Sequence, residues 1–146
     1  MPRVHVDLTI DAPIEEVWAL VVDVESYPTY MENVESVVRS ADDTDGRRHT
    51  TWSVLLKGSV LEWTEAETVI ASAHRMEFSQ VDGDLDQFDG FWQLREVEGG
   101  THAELVVEFE IGIPLLATML NPVAARALED NSKAMLLALE SQSLVR

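Results

Sequence analysis

The feature that most restricts the fold is a series of strand patterns that follows two short helical patterns and precedes one long helical pattern. Between 34 and 111, six segments rich in alternating apolar and polar residues are separated by turn signals that contain Gly or Asp. The segments are 34–41, 48–57, 59–70, 74–81, 86–97 and 102–111. This order is typical of an antiparallel meander, in which each strand pairs with the next.

The first 33 residues predict one further strand and two short helices. Apolar residues alternate with polar ones over 4–10, which is the period of a half-buried strand. A helical pattern then covers about 13–23, with Pro13 in a position suited to a first helical turn. Pro28 marks a second break, and a single further helical turn is expected before Asn33.

The last part of the chain predicts one long helix. The helical pattern runs from Pro114 to about Gln142, and Pro122 predicts a kink near 120–122. Because the helix stripe and the sheet face must cover each other, we expect an α+β fold. It would be a seven-stranded antiparallel curved sheet around the long C-terminal helix, with two short helices after the first strand. Residues 1–146 are predicted to form a single domain.

The charge disfavours several classes of partner. The sequence contains 10 Lys and Arg and 27 Asp and Glu, so the formal net charge is -17. Nucleic-acid binding needs clustered basic residues, so we expect no direct nucleic-acid partner. No apolar stretch approaches the roughly 20 residues that cross a bilayer, and the first residues do not read as a secretory signal. We therefore expect a cytoplasmic protein without membrane insertion.

Metal and cofactor chemistry is not predicted. The chain has no Cys, its four His show no H-x-x-x-H spacing, and its acids form no calcium-loop pattern. P-loop, G-x-S-x-G and G-x-G-x-x-G motifs are also absent from the sequence. Hydrolase, NTPase and dinucleotide-binding functions therefore lack their usual sequence support.

Several short motifs occur in order along nearly the whole chain. They are Ile10-Asp-Ala-Pro13 with Val17-Trp18, Asp23-Val-Glu-Ser-Tyr27-Pro28, Leu61-Glu62-Trp63, Gly83-Asp84 through Phe88-Asp-Gly90-Phe-Trp92, and Asn131. In these motifs the chain resembles the START-like superfamily (SRPBCC), also called helix-grip or Bet v 1-like, and within it the polyketide cyclase/dehydrase and coenzyme-Q-binding branch. The resemblance implies a deep apolar cavity between sheet and terminal helix, which related proteins use for sterols, lipids, quinones, hormones or polyketides.

Strand periodicity indicates which side chains face that cavity. The inward phases contain the aromatic residues Trp52, Trp63, Phe78, Phe88 and Trp92, which either stack a planar ligand or simply fill the core. The same phase turns His74 inward at the rim. Tyr30 and Met31 are expected on one side of an entrance, with Met119 in the segment 113–119 on the other side.

The segment 59–70 carries two acids in its inward phase. The phase that buries Leu61, Trp63 and Val69 also turns Glu65 and Glu67 toward the cavity. Burial raises the pKa of a carboxyl group and suits it to proton transfer. We hypothesise that Glu67, backed by Glu65, polarises a carbonyl or hydroxyl group of a bound ligand. The alternative is an open strand end, or a bulge that leaves both acids on a wet rim.

The resemblance includes two departures and one match. Aromatic cyclases that resemble this chain through Glu62-Trp63 place a catalytic arginine four residues beyond that tryptophan, where this chain has Glu67. They also use a tyrosine after the second short helix, where this chain has Val34. Asn131 matches a helix asparagine that faces the cavity in related cyclases; it would contact a ligand oxygen or make an internal hydrogen bond.

The sequence thus predicts a protein that binds a hydrophobic polycyclic or polyketide-like small molecule. Cyclase or dehydratase catalysis is left open, because the arginine is replaced by Glu67. The alternatives are a non-catalytic lipid or quinone carrier and an interaction module of the ribosome-associated type. An acyl carrier protein and a second copy of the chain stay open as partners. Acyl carrier proteins prefer basic docking patches, so Arg47, Arg48 and Lys57 would have to cluster for such docking.

Overall fold

The structure, a computed structural model, describes residues 3–40, 47–56, 58–110 and 121–144. Over these ranges the chain forms seven strands and two α-helices: β1 Arg3–Ile10, α1 Ile14–Val22, β2 Val34–Arg39, β3 Arg48–Leu56, β4 Ser59–Ile70, β5 Arg75–Gly83, β6 Gln87–Val97, β7 Gly100–Glu110 and α2 Asn121–Leu144. Two 3₁₀ helices cover Val24–Thr29 and Ala71–Ala73. The predicted order of elements is therefore confirmed.

The strands form one antiparallel sheet in the order β1-β7-β6-β5-β4-β3-β2. From β2 to β7 each strand pairs with the next along the chain, as a meander requires, and β1 joins the far edge beside β7. This arrangement, with the long helix α2 after the last strand, confirms the predicted α+β fold class. Neither described α-helix has an apolar stretch long enough to cross a bilayer.

Helix α1 begins directly after Pro13, whose fixed φ angle suits a helix start. Glu15 and Glu16 lie in its first turn, where negative charge is favourable beside the partial positive charge of the helix N-terminus. Val17, Trp18 and Val21 recur at helical spacing and are buried. The helix therefore uses one apolar face to join the core.

The core lies between the concave face of the sheet and α2. Alternate residues of the strands point into it, so that β3 buries Thr50, Trp52, Val54 and Leu56 while β7 buries Ala103, Leu105, Val107 and Phe109. Helix α2 covers this face with Ala127, Leu128, Leu136 and Leu139. Gly90 on β6 is needed for this packing, because a Cβ atom there would collide with the Val106 carbonyl oxygen and the Phe78 ring.

Two residues of the predicted inward phase are partly exposed at the rim of the covered face. Val69 lies next to the end of β4 and is 40% exposed, because it is at the edge of the covered face. His74 precedes β5 and adopts a left-handed backbone with φ of 50° after the turn Ala71–Ala73. Its Nε2 atom lies 2.7 Å from Oε2 of Glu15 on α1. The predicted helix start after Pro114 lies outside the described residues, as does part of the predicted kink at 120–122.

Candidate ligand-binding site

An apolar cleft lies between the concave face of the sheet and α2. All five aromatic residues that were expected to face a cavity line it: Trp52, Trp63, Phe78, Phe88 and Trp92. Aliphatic residues of the strands complete this wall. The opposite wall belongs to α2 and consists of Leu128, Asn131, Ser132 and Met135. Glu65 is the acid among the described residues that line the cleft.

The enclosed space in the cleft is small. The centre of a water-sized sphere can occupy about 50 Å³, which is room for a few water molecules. Sites for drug-sized ligands usually offer about 300–1,000 Å³. The space between the wall atoms, counted out to the open mouth, is about 620 Å³. The deep cavity that was expected is therefore present in position and lining but not in enclosed size, and a ring ligand requires the two walls to separate.

The indole rings of Trp52 and Trp63 stack on each other in the sheet wall. These residues are directly paired across β3 and β4, and their rings are parallel within 4° with centroids 5.8 Å apart. Phe88 continues this aromatic cluster, with its ring centroid 4.8 Å from that of Trp63. Each indole N–H is held by a residue two positions away: Trp52 donates to Oγ1 of Thr50 and Trp63 donates to Oε1 of Glu65, both at 2.8 Å. The wall therefore lines the cleft with aromatic rings whose N–H groups already have partners.

The two acids of β4 both lie inside the protein. Glu65 is 3% exposed and Glu67 is 1% exposed. The pairing of β4 with β5 does contain an irregularity between Thr64 and Glu65, but the extra residue, Val81, belongs to β5. Strand β4 therefore keeps its alternation through this point, so that Trp63, Glu65 and Glu67 share one face.

Glu67 is held from β3. Its Oε1 atom accepts a hydrogen bond from Nε of Arg48 at 2.9 Å, and Nη2 of the same guanidinium group lies 2.8 Å from Oε1 in an ion pair. Its Oε2 atom accepts a hydrogen bond from Oγ1 of Thr50 at 3.0 Å. Arg48 lies opposite Glu67 in the strand register, so the sheet itself brings the two together. Both oxygen atoms of Glu67 are therefore engaged by residues of β3.

Glu65 has a different environment, although it is only two residues away. Burial raises the pKa of its carboxyl group well above the usual value of 4.5, and the hydrogen bond and negative charge of Glu67 raise it further. The Trp63 N–H and the positive charge of Arg48 oppose this shift and are weaker. Glu65 therefore keeps its proton to a higher pH than an exposed glutamate does.

A second cleft of about 170 Å³ adjoins the first, between residues 30–33 and α2. Tyr30 and Met31 line it, and Asn131 and Met135 line both clefts. Within the described part of the chain, the Tyr30 hydroxyl and Oδ1 of Asn131 are buried without a hydrogen-bond partner. Among the described residues, Nδ2 of Asn131 donates to Sδ of Met135 at 3.7 Å and to no other atom. Met119, which was expected at the entrance, lies outside the described residues.

Arg48, Thr50 and Ser132 are polar residues of this site that the sequence did not assign to it. Arg48 was considered only for a basic docking patch with Arg47 and Lys57, yet it shares the inward phase of Thr50 and Trp52, and that phase was the available signal. Its guanidinium group also donates to the Val22 carbonyl oxygen at the end of α1, at 2.7 Å. Lys57, the third residue of the expected basic patch, lies outside the described residues.

The described residues contain no group of three or more His, Asp and Glu that could hold a metal ion. Three histidines instead pair separately with acids: His5 with Glu104, His74 with Glu15 and His102 with Asp7. The polar chemistry of the cleft thus rests on carboxyl, amide, hydroxyl and indole groups.

A curved antiparallel sheet closed by a terminal helix, with an apolar cleft between them, defines a hydrophobic-ligand-binding protein of the START-like (SRPBCC) superfamily. A sequence profile of the family described as polyketide cyclase / dehydrase and lipid transport matches residues 10–136. The chain belongs to this family. No curated protein sequence matches it significantly.

Solved structures with the same fold cover nearly the whole chain. A protein of Thermus thermophilus, TTHA0849, is 28% identical with a TM-score of 0.89, over 98% of this chain and 97% of that one. The aromatase/cyclase Zhui of Streptomyces sp. R1128 is 22% identical with a TM-score of 0.83, over 97% and 92%. A START superfamily protein of Mycobacterium smegmatis is 16% identical with a TM-score of 0.83, over 98% and 97%.

Proposed function

We propose that this protein binds a planar, polycyclic or polyketide-like small molecule between the aromatic wall of the sheet and α2. The observation that carries the proposal is the parallel pair of Trp52 and Trp63 with the carboxyl group of Glu65 beside it, all lining one apolar cleft. Aromatic faces bind flat rings by stacking, and a few convergent polar groups orient the ligand. The match to the cyclase, dehydrase and lipid-transport family supports this ligand class.

The polar groups of the cleft favour a ligand that carries oxygen atoms. A protonated Glu65 donates a hydrogen bond to a ligand carbonyl or hydroxyl group. Asn131 lies across the cleft on α2, and its unpartnered Oδ1 atom accepts a hydrogen bond from a ligand hydroxyl group. The sequence hypothesis assigned the leading role to Glu67; the geometry favours Glu65 as the group that meets the ligand, with Glu67 behind it.

Proton transfer from Glu65 gives this site a route to catalysis. A neutral carboxylic acid in an apolar cleft is a general acid for loss of a hydroxyl group as water or for activation of a carbonyl. Holding a flexible chain in near-attack geometry lowers a cyclisation barrier by roughly 7–11 kcal/mol in the best intramolecular cases. We therefore propose cyclase or dehydratase activity without the arginine of aromatic cyclases, because the guanidinium group of Arg48 is bound to Glu67.

A non-catalytic carrier of a lipid or quinone is the second candidate function. The almost entirely apolar lining favours it, as does the lipid-transport part of the family description. A carrier does not require the proton of Glu65. Binding that is unchanged in Glu65→Gln, with no product formed from any bound ligand by the wild type, would favour the carrier.

Two anthraquinones that differ in one hydroxyl group test the proposal. We expect 2-methylanthraquinone and 2-(hydroxymethyl)anthraquinone to quench the tryptophan fluorescence saturably, because Trp52 and Trp63 form the wall. Asn131→Leu should weaken the binding of the hydroxymethyl compound about tenfold, because a hydrogen bond is lost. The binding of the methyl compound should stay unchanged. Leu137→Asn, on the exposed side of α2, is the matched control. If neither compound quenches the tryptophan fluorescence saturably, the proposed function is contradicted.

A further inference from the structure

The carboxyl groups of Glu65 and Glu67 are 3% and 1% exposed, and they lie two residues apart on one face of β4. Two neighbouring carboxylates in an apolar interior repel each other and lack solvation, so the pair is favoured when one of the two groups keeps a proton. Which of the two carboxyl groups carries it decides which one can act as a hydrogen-bond donor.

Donors are distributed unequally between the two groups. Glu67 accepts hydrogen bonds from Nε of Arg48 and the Thr50 hydroxyl, and Nη2 of Arg48 lies 2.8 Å from it, so both of its oxygen atoms are engaged from β3. Among the described residues, Glu65 accepts one hydrogen bond, from the Trp63 N–H at 2.8 Å. A group surrounded by donors, one of them cationic, is favoured as the carboxylate. The proton is therefore disfavoured on Glu67 and left to Glu65.

Arg48 is itself fixed by three different elements. Besides Glu67 on β4, it contacts the Val22 carbonyl oxygen at the end of α1 and Sδ of Met76 on β5, at 2.7 and 3.1 Å. Its side chain is only 15% exposed. The carbonyl end of a helix favours a positive charge. These contacts hold the guanidinium group in one place rather than letting it swing out to solvent.

We propose that Arg48 is a positioning residue, which fixes Glu67 as the carboxylate of the pair and so keeps Glu65, the group that lines the cleft, as the proton donor toward the ligand. This inference rests on the proposed function only in one respect, that Glu65 donates its proton to a bound ligand. The assignment of the proton concerns the free protein. Arg48 does not touch the cleft and acts through Glu67.

The other groups that face the pair do not provide an alternative counter-charge. Tyr27 of the 3₁₀ helix Val24–Thr29 is fully buried, and burial together with Tyr30 and the two carboxyl groups raises its pKa well above 10.0, so it is neutral. On the sheet side, the cleft residues of β5, β6 and β7 are apolar. On α2, those that line the cleft are Leu128, Asn131, Ser132 and Met135, which are uncharged. Arg48 is thus the charged group that distinguishes the two acids.

Carboxyl ¹³C NMR on ligand-free protein tests this inference. With glutamate labelled at Cδ, and with Glu65→Gln and Glu67→Gln used for assignment, we expect Glu65 in the protonated position and Glu67 in the ionised position at pH 7. In Arg48→Gln, the Glu67 signal should shift toward the protonated position at pH 7. Arg48→Lys keeps the charge and should restore most of the wild-type pattern, and Arg47→Gln should leave it unchanged.

Two results would overturn the inference. One is a wild-type spectrum in which Glu67 carries the proton and Glu65 is ionised; this result does not depend on Arg48→Gln and so survives a failure of that variant to fold. The other is a folded Arg48→Gln protein with both signals in their wild-type positions. Because no ligand is present, either result leaves ligand binding untouched, while failure of anthraquinone binding leaves the proton assignment standing.

Discussion

Glu65→Gln should make the protein more stable at pH 8 and flatten the dependence of its stability on pH. Glutamine has the shape of a protonated glutamate: its amide oxygen accepts the Trp63 N–H and its NH₂ group donates to Glu67. The variant therefore keeps the contacts of the neutral acid but has no proton to lose. Urea unfolding at several pH values between 5 and 8, followed by tryptophan fluorescence, measures the effect.

The sign follows from the raised pKa of Glu65. Above about 4.5, the usual value, the unfolded chain has lost this proton while the folded protein still holds it. The folded state then binds more protons, so this group makes the free energy of unfolding fall as pH rises, until the folded-state pKa is passed. This one group can lower the free energy of unfolding by at most about 1.4 kcal/mol per pH unit. Wild-type and variant curves that run parallel from pH 5 to 8 would contradict the assignment of a neutral Glu65.

Glu67→Gln should have the opposite effect and destabilise the protein by about 3 kcal/mol at pH 7. Removing one partner of a buried ion pair leaves the other charge without compensation, and this usually costs more than the pair contributed. Here the guanidinium group of Arg48, with its side chain 15% exposed, loses its counter-charge at 2.8 Å. The same urea experiment at pH 7 gives the difference in free energy of unfolding.

Glu62→Gln is the matched control for both substitutions. Glu62 lies on the same strand, but its side chain is exposed on the other face of the sheet. An exposed substitution of this kind usually changes stability by no more than about 0.5 kcal/mol. If Glu67→Gln lowers stability no more than Glu62→Gln, the Arg48–Glu67 pair does not hold Glu67 as a buried carboxylate.

The alternation of apolar and polar residues predicted most of the fold, because each strand has one buried face and one exposed face. The alternation of Thr50, Trp52, Val54 and Leu56 predicted their burial, and a two-residue period leaves little choice of register when one face is apolar. Periodicity did not predict the backbone at His74, because a period says nothing about a left-handed residue that ends a turn before the strand begins. The family motifs, spread over the chain, supplied the identity of the fold.

The cross-strand contacts of the site were harder to predict. Arg48 occupies the inward phase of β3, but a charged residue at a strand end is normally solvated. Its burial is explained by partners on three other elements, Glu67 across the register, the Val22 carbonyl oxygen and Sδ of Met76. The size of the cleft could not be predicted from the sequence either. Phase shows that Trp52, Trp63 and Phe88 point inward, whereas how closely their rings pack against each other depends on the three-dimensional arrangement of the strands.

The most direct measurement follows the four tryptophan indole N–H signals by ¹⁵N NMR while 2-methylanthraquinone is added. Trp52, Trp63 and Trp92 line the cleft, whereas Trp18 lies on α1 with its ring 5.7 Å from His74 and serves as the internal reference. A guest between the sheet and α2 should shift the first three signals and leave that of Trp18 in place. Four unmoved signals at saturating anthraquinone, or a shift of Trp18 alone, would contradict a binding site between these walls.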